Sequence, residues 1–254
     1  MATFNQRSTE QFNAANVDVD PDAISKYFDR NFARLCTHLD LQLIRRRILP
    51  HFNGRPSVLD VGAGKGRMTG PLATIASKVV AIEPFADYYQ VLADRFTSSP
   101  NITVHRATVA EYAARTAERF DLIYIGGALP HFEPGEAIEM LRSTKGLLKP
   151  GGFIDVHDYG KEDQTDATQK NLILRSPSEM RDVFESAGLH CLYWRRAYPR
   201  NPFWAAANRW PNRLTKGVWS VAARPLFFPV WELLAGLNFP HRRAAYFFYV
   251  LKPA

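Results

Sequence analysis

Residues 58–70 read VLDVGAGKGRMTG, and this stretch decides the fold. An apolar run that includes Asp60 leads into Gly62, Gly64 and Gly66, which alternate with small or basic residues. Glycine adopts positive φ and carries no Cβ, so it is used where the backbone turns tightly or approaches a ligand closely. The stretch therefore predicts a buried strand, a glycine-rich ligand loop and a following helix.

Three ligands compete for such a loop: a dinucleotide, a nucleoside triphosphate and S-adenosylmethionine. A dinucleotide loop has the pattern G-x-G-x-x-G, but Arg67 occupies the place of its third glycine. A triphosphate loop requires Ser or Thr after its lysine, whereas Lys65 is followed by Gly66. Asp60 would repel a pyrophosphate but would suit a cationic amino group or a ribose hydroxyl. Both phosphate-bearing ligands are disfavoured.

The chain after residue 57 alternates short β-rich runs with helical runs, a pattern typical of βαβ units and a mostly parallel sheet. We predict helices in the segments 67–77, 87–96, 135–148 and 176–188, the last of them with a capping box that begins at Ser176 or Ser178. The predicted strands are 57–61, 78–83, 102–107, 120–127, 153–159, 189–197 and 244–251.

Glu83 ends the second predicted strand, 21 residues after Gly62. In doubly wound sheets an acid at that place hydrogen-bonds ribose hydroxyls. This residue favours a nucleoside-containing ligand, but it does not separate NAD from S-adenosylmethionine.

Four segments in register resemble the class I S-adenosylmethionine-dependent methyltransferases: VLDVGAGKG at 58–66, VVAIEP at 79–84, FDLIYIGGALPHF at 120–132 and LLKPGGFIDVHDY at 147–159. The resemblance covers about residues 56–197 and resumes at 244–252. It implies an α/β fold with a doubly wound, seven-stranded, mostly parallel Rossmann-like sheet whose last strand is antiparallel. It also implies S-adenosylmethionine as cofactor and methyl transfer as the activity.

The same resemblance implies where the cofactor lies. The three loop glycines would pack against its methionine and ribose, Asp60 would lie near its amino group, and Glu83 would hold the ribose diol. Relatives often place an acid after the third strand for the adenine amino group, and this chain lacks it. The remaining implied contacts are Phe85 on one adenine face, Thr108 or Val109 at the adenine edge, and Gly126 and Gly127 at the methionine ammonium.

Two histidines are candidates for the general base that a hydroxyl acceptor needs. His131 follows the fourth strand in GGALPHF, and His157 ends the fifth strand beside Asp155 and Asp158. Ligands of open α/β sheets bind beyond the carboxyl ends of the strands, so both histidines are predicted to face the acceptor. Each could instead be structural, His131 by capping the next helix and His157 by bonding Asp158. Lesser candidates are Tyr27 and Tyr88.

A metal ion is not predicted. The metal-dependent branch of the resembled family gathers several acids around a divalent ion. Asp155, Asp158 and Asp163 are near each other in sequence, but no D-x-x-D-N-type arrangement follows the fourth strand.

Two segments lie outside the regular alternation. Residues 1–56 carry an amphipathic pattern that predicts helices before the domain formed by 57–254, and the resemblance implies that they form an N-terminal helical lid. Residues 198–243 separate the last two strands and are too long for a hairpin, which needs only about two to five connecting residues; the resemblance implies that this helical insertion forms an acceptor pocket. This insertion is rich in Trp, Phe, Arg and Pro.

Composition and charge bound the remaining possibilities. The 254 residues are 46% hydrophobic and 22% charged, which is ordinary for a globular protein. The two cysteines, Cys36 and Cys191, fit no disulfide or metal framework, and no signal peptide or spanning run is present, so we expect a soluble, cytoplasmic protein. The net charge is +7, and residues 195–243 hold nine basic residues against one acid, Glu232.

The predicted reaction is methyl transfer to a small-molecule acceptor, at an oxygen, and the acceptor is apolar or anionic. The basic aromatic segment 195–243 leaves a nucleic-acid or membrane-lipid methyltransferase open as the alternative, as well as contact with a membrane surface. The sequence GALP after the fourth strand lacks the tetrapeptide of amino-methylating enzymes that act on bases, so a nucleic-acid partner is disfavoured. A non-catalytic cofactor-binding protein and an NAD-linked oxidoreductase are weaker alternatives. The sequence leaves the oligomeric state open.

Overall fold

A computed structural model describes residues 18, 20, 21, 30–161, 172–196, 225–235 and 245–254. The strands are β1 (Ser57–Val61), β2 (Lys78–Ile82), β3 (Ile102–His105), β4 (Phe120–Gly126), β5 (Leu148–Gly160), β6 (Leu189–Arg196) and β7 (Ala245–Pro253). The described helices are α1 (Arg30–Arg47), α2 (Thr69–Ala73), α3 (Ala86–Phe96), α4 (Val109–Arg115), α5 (Pro134–Lys145), α6 (Pro177–Ser186) and α7 (Phe228–Ala235).

All seven strands form one sheet in the order β3-β2-β1-β4-β5-β7-β6. The first five strands pair in parallel, and β7 lies antiparallel between β5 and β6. The order reverses between β1 and β4, and ligands of doubly wound sheets bind at such a switch point. The predicted fold class, including the antiparallel last strand, is confirmed.

Two apolar cores cover the two faces of the sheet. On one face α1 and α2 pack against β1, β4, β5 and β7, with residues such as Ile44, Leu72 and Phe248 fully buried. On the other face α4, α5 and α6 pack against the sheet around residues such as Leu141 and Phe184. Helix α1 therefore forms part of one core, and this packing fixes it against the strands that carry the candidate site.

Some element bounds differ from the predicted ones. Helix α2 is only five residues long, because Arg67 and Met68 belong to the turn before it and Thr74 donates its hydroxyl proton back to the carbonyl of Pro71 at 2.7 Å. Strand β5 begins at Leu148, five residues earlier than predicted. The predicted capping box at Ser176 is present, with the amide of Glu179 donating to the serine oxygen.

Helix α7 and the 3₁₀ turn Pro225–Phe227 before it fall inside the predicted insertion 198–243, and the rest of that insertion lies outside the described residues. The division into a lid at 1–56 and a domain at 57–254 remains a prediction. Among the helices described above, none has both the length and the apolar character needed to cross a bilayer.

Candidate functional site

The glycine loop after β1 is a tight turn that needs its glycines. Gly62, Gly64 and Gly66 have φ of 66°, 57° and 86°, values in the left-handed region that side chains disfavour. The amides of Gly62 and Ala63 both donate to the carbonyl of Ile82 at 3.0 Å, and these bonds join the loop to the end of β2. The loop therefore lies at the carboxyl edge of the sheet, as predicted.

The three glycines do not have equal roles. A Cβ on Gly66 would overlap the rings and methyl groups of Phe96 and Leu92, so this glycine lets α3 pack against the loop. A Cβ on Gly62 would meet only the Cβ of Ala128, at 3.7 Å, and Gly64 is similarly open. Gly62 and Gly64 thus border open space along the loop, where a ligand can approach the backbone.

Two buried carboxyl groups flank this loop. Glu83 accepts hydrogen bonds from the amides of Gly64 at 2.8 Å and Phe85 at 3.1 Å, and burial raises its pKa to about 7. Asp60 accepts a hydrogen bond from the hydroxyl of Thr69 at 2.6 Å, and burial raises its pKa to about 6. Each oxygen of Glu83 accepts one amide proton and keeps a further lone pair, which can accept a bond from a ribose hydroxyl.

The predicted adenine contacts occupy different environments. Phe85 is half-buried and lies at the N-cap of α3, while Val109 contributes its side chain to the core. Thr108 caps α4, because its oxygen accepts the amide proton of Glu111 and the Glu111 carboxylate accepts the Thr108 amide proton. Since the Thr108 hydroxyl serves the cap, an adenine edge at this point would bond to the backbone.

The turn after β4 lies beside the glycine loop, as the proximity of Ala128 to Gly62 shows. Gly127 has a φ of 72°, and its amide donates to the carbonyl of His157 at 2.8 Å. A Cβ on Gly126 would overlap the hydroxyl of Tyr124 at 2.5 Å, so glycine is required there too.

His131 ends this turn as a buried, neutral imidazole. It is the last residue of the 3₁₀ helix Leu129–His131, and burial lowers its pKa to about 4. At neutral pH its ring therefore keeps a lone pair that can accept a proton.

Two buried ionisable side chains, Asp158 and Arg175, hold the His131 turn in place, and burial raises the pKa of Asp158 well above its ordinary value. Asp158 accepts the amide proton of Leu129 at 3.1 Å, and Arg175 donates to the carbonyls of Leu129 at 3.1 Å and Phe132 at 2.6 Å. Both side chains are almost fully enclosed. No sequence pattern distinguishes them from surface charges, because their burial depends on how the chain folds.

His157 lies in a different environment, enclosed between two carboxylates. Its Nδ1 is 2.8 Å from Asp40 Oδ1 on α1, and its Nε2 is 3.1 Å from Asp155 Oδ1 on β5. These are ion-pair distances, although the angles do not suit hydrogen bonds. Burial alone would lower the pKa of His157, but Asp155 and Asp40 together raise it to about 10. A protonated imidazole has no lone pair with which to accept a proton.

The contacts of Asp40 extend to the glycine loop. Its Oδ2 lies 3.3 Å from Nη1 of Arg67, which also donates to the hydroxyl of Thr37 at 3.0 Å. Arg67, Asp40, His157 and Asp155 therefore form a buried charge chain, with alternating signs, from the loop through α1 to β5. In the sequence, Arg67 stands out only at the place of a third loop glycine, and Asp40 belongs to none of the motifs that predict the site.

The two tyrosine candidates have different outcomes. Tyr88 is buried on α3, where Nζ of Lys65 lies 5.2 Å from its ring centroid, and burial raises its pKa to about 12. Tyr27 lies outside the described residues. Within the described ranges, no group of three or more His, Cys, Asp or Glu side chains is placed to hold a metal ion.

These features together fit a nucleoside that carries an amino-acid group. The backbone is open to approach at Gly62 and Gly64, and Glu83 offers acceptor lone pairs at the end of β2. Neither of the two flanking carboxyls would favour a phosphate group. All of them lie at the carboxyl edge of the sheet, where the strand order reverses between β1 and β4.

Comparison with known proteins agrees with this geometry. Residues 58–152 match a family model described as a methyltransferase domain. The chain is similar to alpha N-terminal protein methyltransferase 1 of Arabidopsis thaliana, with 29% identity over 140 residues that cover 52% of this chain and 50% of that protein. It is also similar to ubiquinone biosynthesis O-methyltransferase of Brucella ovis, with 26% identity over 125 residues that cover 46% of this chain and 50% of that protein. The chain spans about half the length of these curated relatives.

Among solved structures, a SAM-dependent methyltransferase from Leishmania major matches with a TM-score of 0.67. The match covers 98% of this chain and 83% of that one at 14% sequence identity. At that identity the likeness supports the fold.

Proposed function

We propose that the chain is a class I S-adenosylmethionine-dependent methyltransferase, with S-adenosylmethionine as cofactor, and that it transfers a methyl group to an oxygen of a small-molecule acceptor; the match of residues 58–152 to a methyltransferase-domain model supports the methyl transfer. The observation that carries the proposal is the placement of His131, a buried neutral imidazole on the turn that borders the glycine loop. A hydroxyl acceptor must lose its proton as it attacks, and a neutral imidazole can accept it. Because a pKa of about 4 makes this ring a weak base, the acceptor that suits it best is an acidic hydroxyl such as a phenol.

The cofactor contacts belong to the same proposal. Gly62 and Gly64 pack along the methionine and ribose, Glu83 binds the ribose hydroxyls, and Asp60 lies toward the methionine amino group. The other proposed contacts are Gly66 as a packing glycine, Phe85 on the adenine face, the backbone at Thr108 and Val109, and Gly126 and Gly127 at the methionine ammonium.

When bound, S-adenosylmethionine supplies a methyl group on a sulfonium, which is already a good leaving group. The protein then has mainly to align the acceptor oxygen with that methyl group and to exclude water. The unprotonated ring nitrogen of His131 takes the hydroxyl proton. Asp158 and Arg175 position His131, since both bind the backbone of its turn.

Of the two predicted bases, we propose His131 and not His157. The pKa of about 10 keeps the His157 ring protonated at neutral pH, and its two carboxylate neighbours enclose both nitrogens. His157 then serves to dock α1 on the sheet.

The cofactor is tested first, by calorimetric titration of S-adenosylhomocysteine into the unmodified protein, Glu83→Ala and Glu139→Ala. Glu139 is an exposed glutamate paired with Arg142 on α5, so it makes a matched control. We expect binding to the unmodified protein and Glu139→Ala, with affinity lost in Glu83→Ala. No binding to the unmodified protein would overturn the proposal.

The acceptor is tested with methyl-labelled S-adenosylmethionine and a cell extract separated into lipid, glycan, protein, nucleic-acid and small-molecule fractions. Label in an alkali-stable oxygen ether of a small molecule supports the proposal, and the His131→Gln variant should lose that label. Label confined to nucleic acid or to protein contradicts it.

A protein α-amino group is a second candidate acceptor. The favouring observation is the 29% identity with a plant alpha N-terminal protein methyltransferase. Label in the protein fraction that resides on N-terminal residues would establish this candidate in place of the first.

A further inference from the structure

Helix α7 and the 3₁₀ turn before it, Pro225–Phe227, present apolar side chains to solvent. Leu226, Val230 and Leu233 are 82%, 52% and 71% exposed, and Phe227 is 38% exposed. The spacing of 226, 230 and 233 puts the three aliphatic side chains on one side of a helical turn. Exposed single apolar residues are ordinary, but several on one face mark an interaction surface.

The neighbouring helix gives this face a basic border. The Phe228 ring of α7 lies 4.1 Å from the ring of His38 on α1. Arg34 and Arg45 follow the same stripe of α1 as His38, because residues four and seven apart share one helix face. Both arginines are exposed, whereas Asp40, the acid of α1, is buried and paired. The face of α1 that carries Arg34, His38 and Arg45 thus has an arginine toward each end and no exposed acid.

The sequence around α7 has the same sign of charge. Residues 195–243 contain nine basic residues and one acid. Exposed aliphatic and aromatic side chains beside arginines suit the headgroup and upper acyl region of an anionic bilayer. A second copy of this chain would be a poorer match, because it would bring the same excess of basic residues against this border.

We propose that α7 and the Arg34–Arg45 stripe of α1, together the docking face, bind an anionic phospholipid surface. The face lies beside the candidate site, since α1 also carries Asp40, which contacts the glycine loop through Arg67. Docking would bring the carboxyl edge of the sheet close to the lipid. If the proposed methyl transfer is correct, the acceptor is then an apolar molecule dissolved in the membrane; that last step rests on the proposed function.

The test uses the full chain and vesicles of phosphatidylcholine alone or mixed with phosphatidylglycerol, with binding measured by co-sedimentation. We expect binding to the mixed vesicles that weakens with added salt. Leu226→Ser/Val230→Ser/Leu233→Ser should weaken it on the order of 100-fold, since three apolar side chains no longer leave water. Arg34→Gln/Arg45→Gln should weaken it about 25-fold, at about fivefold for each arginine.

The matched control is Arg115→Gln/Arg181→Gln, which removes the same charge from helices on the opposite face of the sheet. It should bind as the unmodified protein does. Titration of S-adenosylhomocysteine into every variant shows that the fold is intact and separates this proposal from the proposed function.

Equal binding by the apolar variant and the unmodified protein would overturn the proposal, as would no binding to either vesicle. Sedimentation velocity tests whether a second copy of the chain occupies the docking face instead. A dimer that the apolar variant converts to monomer would assign the docking face to a second copy of the chain and would also overturn the proposal.

Discussion

Replacing Asp40 by asparagine keeps the size of the side chain but removes the carboxylate that Arg67 and His157 share. The pKa of His157 is about 10 in the folded protein, against an ordinary value of 6.5. Each unit of pKa shift corresponds to about 1.4 kcal/mol. The raised pKa of His157 therefore means that its protonated ring, held between two carboxylates, stabilises the folded state by roughly 3–5 kcal/mol. Loss of one partner from a buried ion pair costs a similar amount, about 3–5 kcal/mol.

We therefore expect Asp40→Asn to lower the free energy of unfolding by about 3 kcal/mol at neutral pH. The pH dependence has a definite sign. A histidine whose folded pKa is raised stabilises the protein fully below its unfolded pKa of 6.5, and this stabilisation is lost as the pH rises toward about 10. The unmodified protein should lose stability across that window, and Asp40→Asn should lose less.

Urea unfolding followed by far-ultraviolet circular dichroism, at several pH values across the window, measures both quantities. Asp121→Asn is the matched control, because Asp121 also pairs with a base, Lys149 at 2.8 Å, but at a partly exposed site. It should cost about 1 kcal/mol or less. Equal losses of stability in the two variants would contradict a buried ionic role for Asp40, and so would an Asp40→Asn variant that keeps the full pH slope of the unmodified protein.

Three further changes test other parts of the site. His131→Gln should lower kcat roughly 10²–10⁴-fold, as loss of a general base does, while calorimetry finds the affinity for S-adenosylhomocysteine unchanged; equal loss of affinity would contradict its assignment. Gly66→Ala should lower the melting temperature by several degrees, because its φ is 86° and a Cβ would overlap Phe96. Ser176→Ala should cost about 1 kcal/mol in urea unfolding, because it removes the N-cap of α6; a loss below about 0.3 kcal/mol would mean that Glu179 maintains the cap without the serine.

The strand positions and the ligand loop could be predicted because they depend on local signals. Buried parallel strands are visible in a sequence as apolar runs. The turn that needs positive φ is visible as the closely spaced glycines Gly62, Gly64 and Gly66. Glu83 could be placed because the spacing between the first two strands of such sheets varies little. These parts of the site needed no knowledge of distant contacts.

The buried charge chain could not be predicted, because its members come from distant parts of the chain. Oδ1 of Asp40 and Nδ1 of His157 are 2.8 Å apart, although Asp40 lies on α1 and His157 lies on β5. Both histidines were predicted to act as the base, since His131 follows a predicted strand and His157 ends one. Their pKa values of about 4 and about 10 differ because burial lowers the first, whereas two carboxylates outweigh the effect of burial on the second.

The antiparallel insertion of β7 between β5 and β6 has a consequence for how such a protein can change its specificity. Arg196, at the end of β6, pairs with Phe247 near the start of β7, and Ala245, the first residue of β7, pairs with Gly160 at the end of β5. The chain therefore leaves the sheet after Arg196 and re-enters it at Ala245, at adjacent points. The cost of closing a loop with fixed ends grows only slowly with its length. A segment of another length or sequence can therefore replace residues 197–244 while the half of the molecule that holds the glycine loop stays unchanged.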